Sequence, residues 1–183
     1  MAPQRKTFPR LFATRADPLR LVGDKVFISE TYGPGSALLR VRPGGYDVLW
    51  TDAEKRWDKS MQCHWSTPVY HDGYLYGCSG RHAENAELRC IEWATGKVKW
   101  RQPELTRTSL LMVDGHFICL GENGRLLLLK VNPDQYEEVS RLELDGTGQP
   151  FLRYPCWAAP ILSHGLLYVR DNHNLVCFEL IRE

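Results

Sequence analysis

Apolar and polar residues alternate along most of this chain in short runs separated by turn residues, which is typical of antiparallel β-strands. Four segments share one arrangement, in which a tight turn leads directly into an apolar strand: VGDKVFISE, HDGYLYGCS, VDGHFICLG and SHGLLYVRD. The turns recur at intervals of roughly 45 residues. The pattern indicates an internal repeat built from strands, and no segment has a convincing helical period.

Each repeat contains four predicted strands, named a to d in chain order. Strand a precedes the turn and strand b follows it, while strand c comes after the next loop and strand d after a second turn, as in TGKVKW. Repeats of this length predict an all-β fold, a β-propeller of four-stranded antiparallel blades with about four blades present. The predicted blades span residues 18–57, 64–103, 107–145 and 156–183, after an N-terminal segment of residues 1–17.

The stretch CIEWATGKVKW contains Thr-Gly-Lys, which is also half of a phosphate-binding loop. Ile91 stands where that loop requires glycine, and Val98 stands where it requires serine or threonine, so a strand–turn–strand hairpin is the better interpretation. Trp100 ends this stretch after the turn at Gly96, and Trp50 ends the equivalent stretch RVRPGGYDVLW. A large ring at a fixed place in the outer strand is predicted to pack against the neighbouring blade.

CIEWATGKVKW resembles the tryptophan-docking motif of pyrroloquinoline-quinone (PQQ)-type propeller repeats. Thr95, Gly96 and Trp100 match that motif, while Glu92 replaces its aspartate. In the third repeat Val139 stands at the tryptophan position. The segments HWSTPVYHDGYLYGCSGRH and CWAAPILSHGLLYVR are most similar to the quinoprotein-like propellers of planctomycete-type bacteria. The resemblance implies a quinoprotein-like β-propeller, with this chain as the C-terminal half of a longer one.

Propellers with these repeats usually close rings of about seven or eight blades, so four blades make about half a ring. Three outcomes are open: a fragment of a longer propeller, a homodimer that completes the ring, or a closed four-bladed ring. The fourth repeat lacks strand d. RKTFPRLFAT near the N-terminus is the candidate closing strand, although its proline restricts it to an edge position.

Charge and hydropathy exclude some classes of partner. The 183 residues include 23 basic and 22 acidic residues, for a formal net charge of +1. This balance lacks the basic excess of a nucleic-acid surface. No apolar run reaches the roughly 18 residues that span a membrane, and the N-terminal segment has no apolar core of a signal peptide. Localisation is left open, although relatives with these repeats are usually exported or periplasmic.

Strand alternation places the d–a and b–c connections on one face of the blades, and these loops carry most of the candidate chemistry. Because rigid scaffolds present functional residues on loops, this face is the predicted site for a protein, peptide or glycan. The candidate residues are Glu30, Tyr32, His64, Trp65, Arg81, His82, Arg107, Arg125, Trp157 and His173. Trp50, Gly96 and Trp100 are assigned to blade docking instead.

Each candidate has a structural alternative. The rings of Trp65 and Trp157 either stack on a planar ligand or plug the channel, and plugging is favoured. Arg81 and His82 either bind a carboxylate or phosphate or form a solvated loop tip, and the loop tip is favoured.

The six cysteines stand singly, several of them inside apolar runs, so free buried thiols are favoured over disulfides. A zinc site is disfavoured because the spacing of the candidate ligands follows no known pattern. Those candidate ligands are Cys63, His64, Cys78, His82 and Cys90.

Two classes of function follow from the resemblance. A non-catalytic scaffold or binding module, similar in kind to the outer-membrane assembly propeller, is favoured, with no cofactor or metal expected. The alternative is a PQQ-dependent oxidoreductase, in which a tryptophan and two adjacent cysteines enclose the quinone beside a calcium ion. This chain has no adjacent cysteine pair. Glu30 is its best candidate calcium ligand or base, with Glu84 and Asp171 weaker.

Overall fold

The computed structural model describes residues 19–144 and 151–181, which form four antiparallel sheets. Blade 1 contains β1 (Leu19–Val22), β2 (Lys25–Glu30), β3 (Gly35–Arg42) and β4 (Gly45–Thr51), and blade 2 contains β5 (Val69–His71), β6 (Tyr74–Ser79), β7 (Glu87–Glu92) and β8 (Val98–Gln102). Blade 3 contains β9 (Thr108–Val113), β10 (His116–Gly121), β11 (Arg125–Lys130) and β12 (Glu138–Glu143), and blade 4 contains β13 (Ile161–Ser163), β14 (Leu166–Arg170) and β15 (Leu175–Glu179). Strands neighbour one another in chain order within every sheet. The prediction of an all-β chain with about four antiparallel blades is therefore confirmed.

The a–b hairpins of blades 2, 3 and 4 are fixed by two-residue turns in which both residues have positive φ. Asp72 and Gly73 have φ of 45° and 85°, and Asp114 and Gly115 have φ of 45° and 70°. Such turns match the right-handed twist of the flanking strands and leave no freedom in the register. The pairing of Val113 with His116 therefore sets the partners along the whole of β9 and β10.

Successive side chains of each central strand enter different cores, because they point to opposite faces of the sheet. In β6, Leu75 is buried between blades 1 and 2, whereas Tyr76 is buried between blades 2 and 3. In β10, Phe117 joins the core between blades 2 and 3, and Ile118 joins the core between blades 3 and 4. The blades are thus held together by three apolar layers, one at each interface.

A tryptophan fastens blade 1 to blade 2. The Trp50 indole Nε1 donates a hydrogen bond to the Trp93 carbonyl oxygen at 2.8 Å. Its ring lies on Gly96, where an added Cβ would stand 2.7–2.9 Å from three ring carbons. Gly96 has φ of 71°, so glycine meets two demands there, the left-handed backbone and the close approach of the ring.

A second tryptophan spans the interface between blades 2 and 3. The Trp100 indole Nε1 donates to the Asn132 carbonyl oxygen at 3.0 Å. Its ring lies 6.1 Å from the ring of Tyr136 in an edge-on arrangement, and 6.1 Å from that of Tyr76. The two interfaces therefore share one device, an outer-strand indole that reaches a backbone carbonyl of the following blade.

The interface between blades 3 and 4 has no such indole among the described residues. Trp50 pairs with Leu38 and Trp100 with Cys90, each beside a β-bulge, and in blade 3 the same register position holds Ser140, opposite Leu128. The assignment of Val139 to this position was wrong by one residue. An apolar cavity of about 250 Å³ lies there, bounded by Leu126, Leu128, Ser140, Leu142, Leu167 and Leu180.

Blade 4 has three strands among the described residues, and the predicted closing strand in residues 1–17 lies outside them. A homodimer that completes a ring stays a prediction. No helix in residues 19–144 and 151–181 is long and apolar enough to cross a membrane; the helical element there is a 3₁₀ turn at Ala83–Asn85.

Candidate functional site

A chain of direct contacts joins loop residues from all four blades. The Tyr32 hydroxyl of blade 1 lies 3.0 Å from His64 Nε2, at the entry to blade 2. His64 Nδ1 in turn lies 3.1 Å from Arg107 Nη1, at the entry to blade 3. Arg107 Nη2 donates to Glu122 Oε2 at 2.5 Å, and Trp157 Nε1 of the loop before blade 4 donates to the same oxygen at 3.3 Å. We call these five residues the loop-face hub.

The charged centre of the hub is the pair formed by Arg107 and Glu122. The Glu122 side chain is 1% exposed and that of Arg107 is 14% exposed. Burial alone would raise the pKa of Glu122, but hydrogen bonds from Arg107 and Trp157, together with the Arg107 charge, outweigh it and hold that pKa below its usual value. Glu122 is therefore an ionised anchor, and its two oxygens are occupied by donors.

The tautomer of His64 follows from its two neighbours. A guanidinium can only donate, so His64 Nδ1 must accept from Arg107, and the ring proton belongs on Nε2, facing the Tyr32 oxygen. Partial burial lowers the pKa of His64, and the charges of Arg107 and Arg81 lower it further. His64 is therefore neutral at physiological pH, and it connects Tyr32 of blade 1 with Arg107 of blade 3.

Aromatic rings and a further arginine flank the hub. The Trp65 and Trp157 rings have centroids 6.4 Å apart with planes inclined by 46°. The Arg81 guanidinium lies 4.6 Å from the centre of the Tyr32 ring, a cation–π distance. Trp157 is 48% exposed, so the hub presents one broad indole surface to solvent.

Of the other predicted site residues, Glu30 adjoins the hub through the Tyr32 backbone, and His82, His173 and Arg125 make contacts with residues outside the hub. Glu30 is buried and accepts a hydrogen bond from the Tyr32 backbone N–H at 2.7 Å. The His82 backbone N–H donates to the Asn85 side chain at 3.0 Å, and the His173 backbone N–H donates to Asp171 at 2.6 Å. Arg125 pairs with Glu143 at 2.8 Å.

Glu122 is not among the residues predicted from the sequence, although the sequence contains a signal for it. The Asp114–Gly115 turn sets the hairpin register, and the pairing of Thr108 with Gly121 places Arg107 opposite Glu122. The backbone N–H of Glu122 donates to the Arg107 carbonyl oxygen at 2.9 Å, which continues that ladder. The cross-strand ion pair was therefore predictable from turn chemistry alone.

All six cysteines are free thiols, and five of them are buried. Burial raises the pKa of Cys63 to about 12 and that of Cys78 to about 11. Burial likewise raises the pKa of Cys90 to about 12. Thiols of this kind are poor nucleophiles near neutral pH, because the thiolate is the reactive form.

One thiol is expected to react quickly in the folded protein. Cys177 is exposed, so a chromogenic disulfide reagent at pH 8 should titrate one thiol within minutes and all six after denaturation. A Cys177→Ser variant should lose the fast phase and keep the slow one. Two or more fast thiols in the wild type would contradict the buried packing of the other five.

Among residues 19–144 and 151–181, no group of three or more histidine, cysteine, aspartate and glutamate side chains is arranged to hold a metal ion. The candidate zinc residues Cys63, Cys78 and Cys90 instead lie in the apolar cores.

Asp171, a weaker candidate calcium ligand, is 4% exposed. Burial would raise the pKa of Asp171, but hydrogen bonds from the backbone N–H groups of Asn174, His173 and Arg153 hold it far below its usual value.

Four sheets stacked face against face, with their d–a and b–c loops linked on one side, define part of a β-propeller. The chain is similar to BamB from Moraxella catarrhalis, with 12% identity and a TM-score of 0.59, over 87% of this chain and 41% of that one. It is also similar to the computationally designed Ika4 protein, with 10% identity and a TM-score of 0.57, over 90% of each chain. A europium-containing methanol dehydrogenase matches with 14% identity and a TM-score of 0.51, over 74% of this chain and 26% of that one.

These similarities show the fold alone, since the identities are low. The chain spans 41% of the length of BamB. No protein-family description matches it, and no curated protein does.

Proposed function

We propose that this chain is a non-catalytic binding module that uses its loop face to hold a protein, peptide or glycan. The observation that carries this proposal is the loop-face hub, in which residues from four blades form one connected surface. A rigid, preformed surface loses little entropy when a ligand binds, which favours recognition. Trp157 offers this surface its exposed aromatic contact.

The carboxylates and thiols that acid–base or nucleophilic catalysis would use are hydrogen-bonded or buried. A general base works best with a pKa near the operating pH, whereas hydrogen bonds hold the pKa values of Glu122 and Asp171 below their usual values despite burial. Burial raises the pKa of Cys63 and Cys78. These shifts support binding over catalysis at the loop face.

The alternative, a PQQ-dependent oxidoreductase, is supported by the fold shared with the methanol dehydrogenase. The residues of the loop face fit a quinone poorly. Trp65 and Trp157 are inclined to each other by 46°, which is not a flat sandwich for a planar ring. Glu30, the candidate base, already accepts the Tyr32 backbone N–H.

The proposal is tested by screening the folded chain against a glycan array and a phage-displayed peptide library. We expect ligands in at least one class, and we expect Trp157→Ala to weaken them by about tenfold or more, as removal of a large aromatic contact does. The matched control is Val139→Ala, which removes a side chain of similar exposure (53%) from the outer strand of blade 3 and should keep full binding.

The same samples are assayed for dye reduction with added PQQ, Ca²⁺ and an alcohol. We expect no activity above that of PQQ and Ca²⁺ without protein. Turnover that depends on all three additions would replace the binding module with the oxidoreductase. Absence of any ligand on both screens would also overturn the proposal.

A further inference from the structure

A second cavity lies beside the hub, between the b–c loop of blade 1 and the d–a loop that leads into blade 2. Its volume is about 360 Å³, and residues 31–33, residues 56–59, Gln62 and Arg81 line it. Of the five hub residues, only Tyr32 also lines this cavity. None of the lining residues carries an aliphatic apolar side chain, so the cavity offers hydrogen bonds, charge and aromatic surface.

The d–a loop that forms one wall is anchored at both ends. The Asp52 carboxylate is 2% exposed and accepts from the backbone N–H groups of Ser36 at 2.6 Å and Ser60 at 2.5 Å. The buried Lys59 ammonium donates to the carbonyl oxygens of Asp52 at 2.8 Å and Ala53 at 2.9 Å. Residues 53–58, between these anchors, are therefore held in a defined conformation, as a preformed binding site requires.

Two guanidinium groups at the cavity have no anionic partner among residues 19–144 and 151–181. The described ion pairs include neither Arg56 nor Arg81. Each is instead held against an aromatic ring: Arg56 lies 5.2 Å from the centre of the Trp57 ring and Arg81 lies 4.6 Å from that of Tyr32. The nearby Asp58 is engaged by Arg101, so the cavity has a surplus of positive charge.

Two further features point to a polar, ring-shaped ligand. Trp57 is 76% exposed, an unusual position for an indole on an anchored loop unless its face is used. Thr31, on the opposite wall, is 8% exposed, and its hydroxyl oxygen is buried without a hydrogen-bond partner among the described residues. An unsatisfied buried hydroxyl is costly, and because Thr31 lines the cavity, a rotation of its side chain would let a ligand or water supply the partner.

We propose that this cavity binds a saccharide unit that carries a carboxylate, such as a uronic acid within an acidic polysaccharide. The pyranose ring stacks on Trp57, and the carboxylate lies against Arg56 and Arg81, whose planar forks match carboxylate geometry. An acidic peptide is less well served, because peptide anchors are usually apolar or aromatic side chains that need an apolar pocket. The inference rests on the proposed function, since it names the ligand class for one part of the loop face.

The test measures binding of uronic acid trisaccharides by calorimetry, with galacturonate, glucuronate and mannuronate forms as probes. Their methyl esters keep the ring and remove the charge. We expect at least one acid form to bind and its ester to bind about tenfold more weakly, in line with the loss of a charged hydrogen bond. Arg56→Gln and Arg81→Gln should each reproduce that loss for the acid and leave the ester unchanged.

Variants elsewhere separate this site from general effects. Trp57→Ala should weaken acid and ester alike, because it removes the stacking surface. Arg141→Gln removes a cation of the outer strand of blade 3 that is paired with Glu138, and it should bind every probe as the wild type does. Circular dichroism and thermal unfolding confirm that each variant is folded.

Each remaining outcome decides against the inference. Failure of all three acids to bind would overturn it, and equal binding of acid and ester would remove the role of the carboxylate. Binding of hexaglutamate with none of the sugars would replace the saccharide with an acidic peptide. If the screens find ligands that depend on Trp157 while the uronates do not bind, this inference alone fails and the binding module stands.

Discussion

Replacing Trp50 with alanine is expected to lower the free energy of unfolding by about 3 kcal/mol, the lower end of the range for tryptophan truncations in cores. The variant loses both the ring that packs between blades 1 and 2 and the hydrogen bond to the Trp93 carbonyl. Urea denaturation followed by circular dichroism measures the effect. Trp57→Ala is the matched control: this indole is 76% exposed, and its removal should change stability by less than about 0.5 kcal/mol.

The glycine under the ring supports the same conclusion independently. Gly96→Ala and Gly115→Ala place alanine at nearly equal backbone angles, with φ of 71° and 70°. Only Gly96 lies against the Trp50 ring, while an added Cβ at Gly115 meets nothing within 4 Å. Gly115→Ala should cost about 1 kcal/mol for backbone strain, and Gly96→Ala should cost clearly more. Equal losses would show that the ring does not press on this turn.

Replacing Arg107 with methionine is expected to cost about 3–5 kcal/mol at pH 7.5, because it leaves the buried Glu122 carboxylate without its counter-ion. Thermal or urea unfolding measures this loss. Arg125→Met removes a partly exposed arginine from its pair with Glu143 and should cost less than about 1 kcal/mol. The double variant Arg107→Met/Glu122→Met should recover most of the stability, since two packed apolar side chains can replace a buried pair.

The contribution of Glu122 to the free energy of unfolding depends on pH with opposite signs in the wild type and in Arg107→Met. In the wild type the folded pKa of Glu122 lies below its usual 4.5, so its contribution is present above about pH 4.5 and is lost as the pH falls through the folded value. In Arg107→Met, burial without a cation raises that pKa above 4.5. The loss of stability caused by the unpaired, ionised Glu122 is then full at neutral pH and disappears as the pH falls towards 4.5. The difference in the free energy of unfolding between wild type and Arg107→Met should therefore become smaller as the pH falls from 7.5 towards 4.5. A difference that does not change with pH would contradict the ionised role of Glu122.

The blades themselves were predictable because their determinants are local. Alternating apolar residues and two-residue turns that contain a glycine, two of them Asp-Gly, specify each a–b hairpin without reference to the rest of the chain. The tryptophan position in blade 3 was harder, since the connection between β11 and β12 (residues 131–137) is longer than the equivalent connections in blades 1 and 2 (residues 43–44 and 93–97), so counting from the turn does not locate it. Val139 was therefore assigned where Ser140 stands.

The loop-face hub was only partly predictable. The cross-strand contact between Arg107 and Glu122 follows from hairpin register, but the contacts of His64 with Tyr32 and Arg107 join three blades. They depend on the angle between stacked sheets, which no periodicity in the sequence encodes. Arg56 and Trp57 were missed for a related reason: Arg81, which is distant in the chain, also lines their cavity.

The cavity beside Ser140 and the absence of a docking indole among the described residues are expected to make the interface between blades 3 and 4 weaker than the interfaces between blades 1 and 2 and between blades 2 and 3. Stability in such arrays is approximately a sum over units and their nearest neighbours, and opening begins where the neighbour term is smallest. We therefore expect the backbone amides of blade 4 to exchange with solvent hydrogen faster than those of blades 2 and 3. Because the loop before blade 4 carries Trp157, separation of blades 3 and 4 would also break the hydrogen bond from this indole to Glu122. A ligand of the proposed loop-face site is therefore expected to dissociate faster in variants that weaken the interface between blades 3 and 4.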